Sequence, residues 1–134
     1  MASGAPQRRL SLDGRSMWPL APPCRAILAP PPPTGLQRGD LVAFVGTGPD
    51  TIYVHRIVGH SEAGWLTRGD TLVAADPAVP ESAVIGRIVA IELGPLRLPL
   101  PATGVLARAQ RSAGLAWGRL APRLRVLWVS RRFS

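Results

Sequence analysis

A serine, a histidine and two aspartates of this chain are placed where they could support nucleophilic catalysis. Ser16 lies in the segment Gly-Arg-Ser-Met-Trp-Pro that begins at Gly14. A serine hydroxyl is a weak nucleophile unless a base takes its proton and its position is fixed. Gly14 could approach a substrate closely or take a strained turn. Pro19 fixes the backbone where the chain leaves this turn, and Met17 could pack beneath the serine. Taken alone, a Gly-x-Ser triplet is more typical of a surface loop.

His55 is the candidate general base. Imidazole suits this role because it changes its charge near neutral pH. Strand alternation places His55 on the same face as Tyr53 and Ile57. A lone histidine in a strand is also often structural, and His60, in a predicted loop, is expected to be solvated.

Two aspartates could orient such a base. Asp70 ends the segment Thr-Arg-Gly-Asp, and Asp76 precedes Pro77. A carboxylate behind an imidazole selects its tautomer and stabilises the imidazolium. Gly-Asp is also a common turn pair and Asp-Pro a common loop start, so each aspartate has a structural interpretation. The residues themselves leave the choice between the two open.

Short strands joined by turns are the elements expected to position these side chains. The 134 residues include 15 prolines and 14 glycines, which argues against a bundle of long helices. Strand-like patterns cover Leu41–Val45, Thr51–Val58, Trp65–Thr67 and Val84–Leu93, with a hairpin loop over His60–Gly64. We therefore predict a mostly β fold for residues 1–104, the body: a small, coiled, barrel-like sheet domain.

The charge distribution separates this body from a C-terminal tail. All 16 basic residues are arginine, and residues 93–134 contain eight of them and no acid, whereas residues 1–92 carry no net charge. Apolar residues recur in the tail at helical spacing: Val105, Ala109, Ala113, Ala116, Leu120, Leu124 and Leu127. We predict a basic amphipathic helical segment over residues 105–134, weakened by Gly114 and Gly118 and broken or kinked at Pro122.

The apolar stripe of the tail fits two roles, packing on the body or lying on anionic lipid. We expect packing up to Leu120 and an exposed, lipid-facing role for Arg123–Arg132. Nucleic acid is disfavoured as a partner, because the tail lacks interleaved aromatic residues and the body is neutral. No stretch reaches the roughly 20 apolar residues of a membrane span, and no signal peptide is evident. The expected location is cytoplasmic, with peripheral contact at the inner face of the cell membrane.

Composition excludes several kinds of site. The chain has no lysine, so a Ser-Lys dyad or a lysine Schiff base cannot form. The single Cys24 excludes an internal disulfide, and two histidines with one cysteine are poor material for a metal site. We expect neither a metal nor a cofactor.

The order of the motifs resembles that of the signal peptidase I family. The matching segments are Ser16-Met17-x-Pro19, Arg38–Val42, His55–Val58, Thr67–Asp70 with Asp76, and Ile85–Val89. They extend over about Leu12 to Leu93. The usual bacterial enzymes have lysine where this chain has His55, so the chain is similar to the Ser-His branch found in the endoplasmic reticulum, in archaea and in sporulating bacteria.

The resemblance implies a serine endopeptidase that makes a processing cut after small residues in the leader, signal or propeptide of a precursor protein. Ser16 would be the nucleophile, His55 the general base and Asp76 the orienting acid. The backbone N–H of Ser16 would form part of the oxyanion hole. Asp70 would shape the turn, although the reverse assignment of the aspartates stays open.

The sequence also departs from the family pattern. Thr71-Leu72 stands where the Ser-His branch usually has asparagines, and the membrane helices typical of the family are not visible. The alternative function is a catalytically idle module of the same fold that binds an extended peptide as an added strand.

Overall fold

The computed structural model describes residues 8–14, 16–20, 23–46, 48 and 51–133, the last nine by their backbone alone. Its strands are β1 (Arg8–Ser11), β2 (Arg25–Leu28), β3 (Leu41–Val45), β4 (Ile52–Ser61), β5 (Gly64–Arg68), β6 (Val84–Leu93) and β7 (Leu96–Pro99). A 3-10 turn spans Glu81–Ala83, and the helix α1 spans Gly104–Phe133.

The seven strands form one antiparallel sheet. Its order is β1-β2-β6-β3-β4-β5, and β7 pairs with β6 outside this path. The ten-residue strand β6 is central, because it pairs with β2, β3 and β7. The register shifts by one residue in the β2–β6, β3–β6 and β4–β5 pairs, which marks two bulges on β6 and one on β4; bulges bend and twist a sheet locally. The prediction of a mostly β fold is confirmed.

The core lies on both faces of β3, as the continuous apolar run of this strand requires. Leu41 and Ala43 belong to one buried cluster, together with Met17. Val42 and Phe44 belong to a second buried cluster on the other side. Because buried clusters pack against both faces of β3, the neighbouring strand β4 has a fixed position in the sheet.

The predicted strand boundaries are accurate for the most apolar segments. The limits of β3 and β6 agree with the prediction. The strand β4 continues to Ser61, so the prediction of a loop at His60 is wrong: its side chain is exposed on the strand and lies 4.6 Å from the Trp65 ring. The strands β1, β2 and β7 were not predicted, because they have four residues each and show little alternation.

Pro122 was predicted to break or kink the C-terminal helix, and of these two outcomes the break is wrong. Helix α1 is continuous from Gly104 to Phe133. A proline inside a helix removes the hydrogen bond to the carbonyl four residues earlier, which here is that of Gly118. Arg68 donates to this carbonyl oxygen from Nη2 at 2.8 Å. The arginine from β5 thus replaces the missing donor, and the helix continues.

The helix contacts the body through a different face from the predicted one. Ala107 and Ala121 are buried, whereas Val105, Leu120 and Leu124 of the predicted stripe are exposed. Small residues of the docked face lie against polar side chains of the body, and Arg111 on the same face pairs with Asp40 at 3.5 Å. A side chain at Gly114 would overlap the Arg56 guanidinium, and one at Gly118 would lie 2.8 Å from Arg68 Nη2. The stripe that periodicity selects therefore faces away from the sheet.

The structure bears on two further expectations, the absence of a membrane-spanning helix and the exposure of the end of α1, only in part. Within the described residues, no helix combines the length and apolarity needed to cross a membrane. The side chains of residues 125–133, Leu127 among them, lie outside the described part.

Candidate active site

Ser16, His55 and Asp76 form a continuous hydrogen-bonded array. Ser16 Oγ lies 2.9 Å from His55 Nε2, and His55 Nδ1 lies 2.6 Å from Asp76 Oδ2. These residues are 39 and 21 positions apart in the chain, so only the fold brings them together. All three residues that were predicted to be catalytic occupy this one place.

The position of His55 is fixed by the middle of strand β4. His55 is 4% exposed, and its backbone pairs with Val42 of β3, the strand that is buried on both faces. The ring stacks on Tyr53 at a centroid distance of 5.4 Å and meets Phe44 edge-on at 6.0 Å. The imidazole therefore rotates little, and its two nitrogens point to fixed partners.

Asp76 is held in place by Thr67, a residue that the sequence analysis did not single out. The Thr67 hydroxyl donates to Asp76 Oδ2 at 2.8 Å, and the Asp76 N–H donates to the Thr67 carbonyl at 2.9 Å. Thr67 is fully buried in β5, next to the histidine strand. The sequence signal that could have marked it is its position at the start of the matching segment Thr67–Asp70.

Asp70 has a different partner. Its two carboxylate oxygens accept from Arg56 Nε at 2.9 Å and Nη2 at 2.8 Å, which is a bidentate ion pair. Arg56 also donates to the Gly39 carbonyl at 2.9 Å. The pair is almost entirely buried beneath helix α1, with side chains 11% and 4% exposed. Asp70 thus ties the strand of His55 to the turn that follows β5.

The turn that carries Ser16 is fastened to this same segment. Thr71 bonds the Ser16 carbonyl twice, from its N–H at 2.9 Å and from its hydroxyl at 3.0 Å. Met17 is buried, and its Sδ accepts from the Asp70 N–H at 3.2 Å. The expectation that Met17 packs beneath the serine agrees with this geometry. Thr71 therefore positions the serine backbone.

The other two residues of the serine motif have looser surroundings. Gly14 has no positive φ, and a Cβ there would meet nothing within 4 Å. Of the two roles open to this residue, the strained turn is therefore not the one it takes. Pro19 is exposed. Neither residue contacts the histidine or the aspartates among the described interactions.

A cavity of about 330 Å³ opens beside the serine. It is lined by Leu10, Ser11, Leu12, Asp13, Gly14, Ser16, Met17, Leu20, Ile52 and Val54. Most of these side chains are apolar or small, and they come from β1, the segment after it and β4. A small or medium apolar group could therefore be bound within reach of Ser16 Oγ.

The array can perform proton transfer during acyl transfer. The carboxylate of Asp76 accepts from His55 Nδ1–H, which leaves Nε2 unprotonated and facing the serine hydroxyl. In that tautomer Nε2 accepts the Ser16 proton as Oγ attacks a carbonyl carbon. The negative carboxylate then stabilises the imidazolium that forms.

Comparison of the chain with protein-family models, with curated proteins and with solved structures gives no match.

Proposed function

We propose that the chain is a serine endopeptidase of the signal peptidase I type, in its Ser-His branch, with an antiparallel sheet as its catalytic domain. The observation that carries the proposal is the array from Ser16 Oγ through His55 to Asp76, with contacts of 2.9 Å and 2.6 Å. The motifs from which the resemblance was drawn supply these same three residues. The chain contains no lysine that could replace the histidine.

The reaction is a two-step acyl transfer. Ser16 Oγ attacks the scissile carbonyl, and His55 Nε2 takes the hydroxyl proton. The imidazolium then gives this proton to the amine of the leaving peptide as the C–N bond breaks. Water hydrolyses the resulting ester, with His55 again acting as base. The backbone N–H of Ser16 donates to the oxyanion that develops in each step.

An extended peptide is the substrate that fits the surroundings of Ser16. Strand β1 is at the edge of the sheet and, among the described residues, pairs only with β2. An edge strand offers unpaired backbone groups to an added strand. The chain continues from β1 into Leu12 and Gly14 at the cavity, and then to Ser16. A precursor bound along this edge would place one side chain in the cavity and the next carbonyl near Oγ.

Acylation of Ser16 tests the proposal and separates it from an idle peptide-binding module. We expect a small apolar activated ester to acylate the wild-type protein at Ser16. Trypsin then releases residues 16–25, in which Ser16 is the only serine, and fragment spectra distinguish it from Cys24. Labelling should disappear in His55→Ala and His55→Gln, because the base is removed.

The matched control for this experiment is His60→Ala, which removes the other histidine at an exposed position on the same strand. It should be labelled like the wild type. Circular dichroism shows whether each variant is folded. Equal labelling with and without His55, or no labelling of a folded wild type, would refute the enzyme and leave the binding module.

The packing of Gly69 against the serine gives a second test. A Cβ at residue 69 would lie 2.8 Å from Ser16 Cβ and 3.0 Å from the Ser16 carbonyl oxygen. Gly69→Ala must therefore displace the nucleophile, and we expect acylation to slow by up to about 10²-fold, the effect of a displacement near 1 Å. Gly59→Ala is the control, because its Cβ would meet only the Leu66 side chain, at 3.5 Å. An unchanged rate in a folded Gly69→Ala would contradict the placement.

A further inference from the structure

Helix α1 has an exposed apolar stripe on the side that faces away from the body. At about 100° per residue, the stripe falls within a sector of about 100°. Its residues are Val105, Leu106, Ala109, Ala113, Ala116, Leu120 and Leu124, all of them exposed. The exposed fractions of the four large side chains are 75% for Val105, 55% for Leu106, 49% for Leu120 and 44% for Leu124. The body does not cover this stripe, because the docked face lies roughly opposite.

Positive charge borders the stripe. Arg108, Arg119 and Arg123 are exposed and project along one edge of it. The whole helix, from Gly104 to Phe133, contains seven arginines and no acid. Arg111 pairs with Asp40 of the body, whereas the helix has no acid that could neutralise the three arginines beside the stripe, so this surface is complementary to an anionic one.

The arrangement of charge and apolar surface selects the kind of anionic partner. A surface for nucleic acid would place arginines at its centre, where they reach phosphates. Here the centre of the exposed face is apolar and the arginines lie at its border, as in helices that rest in the interface of a membrane. Trp117 borders the stripe on its other side, and tryptophan is enriched at such interfaces.

We infer that the outward face of α1 docks on an anionic lipid bilayer, with the apolar stripe in the headgroup region and the bordering arginines on the lipid phosphates. This inference does not depend on the proposed activity, because it rests on the docked and exposed faces of the helix alone.

The docked helix also places the serine close to the bilayer. Trp117 Nε1 donates to the Trp18 carbonyl at 2.8 Å, and the two rings are 5.8 Å apart. Trp18 is 51% exposed and lies two residues after Ser16. If the proposed function holds, the enzyme thus meets its substrates at the membrane surface.

Vesicle binding by the full chain tests the inference. The vesicles contain phosphatidylglycerol and phosphatidylcholine in equal parts, with pure phosphatidylcholine as the neutral reference. We expect binding to the anionic vesicles only. Binding should weaken as ionic strength rises from about 0.1 M to about 1 M, which shortens the Debye length from about 10 Å to about 3 Å. The Ser16→Ala protein should bind like the wild type, which separates docking from activity.

Paired variants identify the face that binds. Arg119→Gln with Arg123→Gln should weaken binding roughly 25-fold, about fivefold for each arginine. Leu120→Gln with Leu124→Gln should weaken it at least about tenfold, because apolar burial in the interface is lost. Arg25→Gln with Arg38→Gln changes the net charge by the same amount at exposed positions of the body and should have little effect.

Several outcomes would overturn the inference. One is an equal loss of vesicle binding in the body variant (Arg25→Gln with Arg38→Gln) and in the helix variant (Arg119→Gln with Arg123→Gln). The others are equal binding to neutral and anionic vesicles, and no binding to anionic vesicles at low salt. Tighter binding to a nucleic acid that is indifferent to the leucine pair would assign the surface to that partner instead. A concentration-dependent dimer that the leucine pair dissociates would assign it to a second copy of the chain.

Discussion

Ser16→Ala should lower peptidase activity by about 10⁴-fold or more while the protein stays folded. The change removes the only atom that can form the acyl bond, and removal of a nucleophile has effects of this size in serine peptidases. The fold should tolerate it, because the contacts of Ser16 to Thr71 use the backbone carbonyl and its Oγ contacts His55. A peptide library digested by the wild type and read by mass spectrometry supplies a substrate, on which kcat/KM is then compared.

The control for this loss is Ser82→Ala, an exposed serine in the 3-10 turn. It should retain wild-type kcat/KM and stability. Full activity of Ser16→Ala on the same peptide would exclude the acyl-enzyme mechanism. A Ser16→Ala protein that binds the peptide with wild-type affinity but does not cleave it is the result that the cavity and the edge strand predict.

Asp76→Asn should have the second largest effect, a loss of kcat up to about 10⁴-fold with little change in the free energy of unfolding. An asparagine can present its amide N–H to His55 Nδ1, which moves the ring proton to Nε2. Nε2 then cannot accept the Ser16 proton. Thr67 Oγ1 contacts the same Oδ2 position, so the amide that faces His55 would donate its second N–H to the threonine oxygen. The bond from the residue 76 backbone N–H to the Thr67 carbonyl is unaffected, so the loop stays in place.

Asp70→Asn is the comparison that separates catalysis from structure. It breaks a bidentate contact to a nearly buried Arg56 and leaves that guanidinium poorly paired, which should cost of the order of 3 kcal/mol of stability. The loss of kcat should be smaller than in Asp76→Asn. Thermal unfolding and kcat, measured on both variants, check this. A larger loss of kcat at residue 70 with unchanged stability would reverse the two assignments.

The strands of the centre of the sheet could be predicted from sequence because their pattern is dictated by burial. Strand β3 is apolar at every position since both of its faces are covered. The edge strand β1 is not covered on both faces and exposes three of its four residues, so its sequence pattern does not identify it as a strand. The same reason explains β7, whose four residues are all exposed. Local periodicity thus misses exposed edge strands, and it also missed β2, which is buried at three of its four residues but is too short to show a pattern.

Helix α1 shows where periodicity fails. The sequence contains an apolar stripe at helical spacing, and amphipathic helices usually pack such a stripe on the core. The body, however, presents Arg56 and Arg68 at the docking site, and these require a close backbone and a free carbonyl. Gly114 and Gly118 provide both, so the glycines that were predicted to weaken the helix are the ones that dock it.

The chemistry available to this chain was determined by the sequence, and its geometry by the tertiary structure. The residue types alone exclude lysine chemistry and disulfides, and they concentrate the charge at one end. Which aspartate faces His55 was decided only by the fold. Asp70 and Asp76 follow the same strand six residues apart. Arg56 binds the first and Thr67 turns the second toward the imidazole, because hydrogen-bond partners are chosen by distance in space and not along the chain.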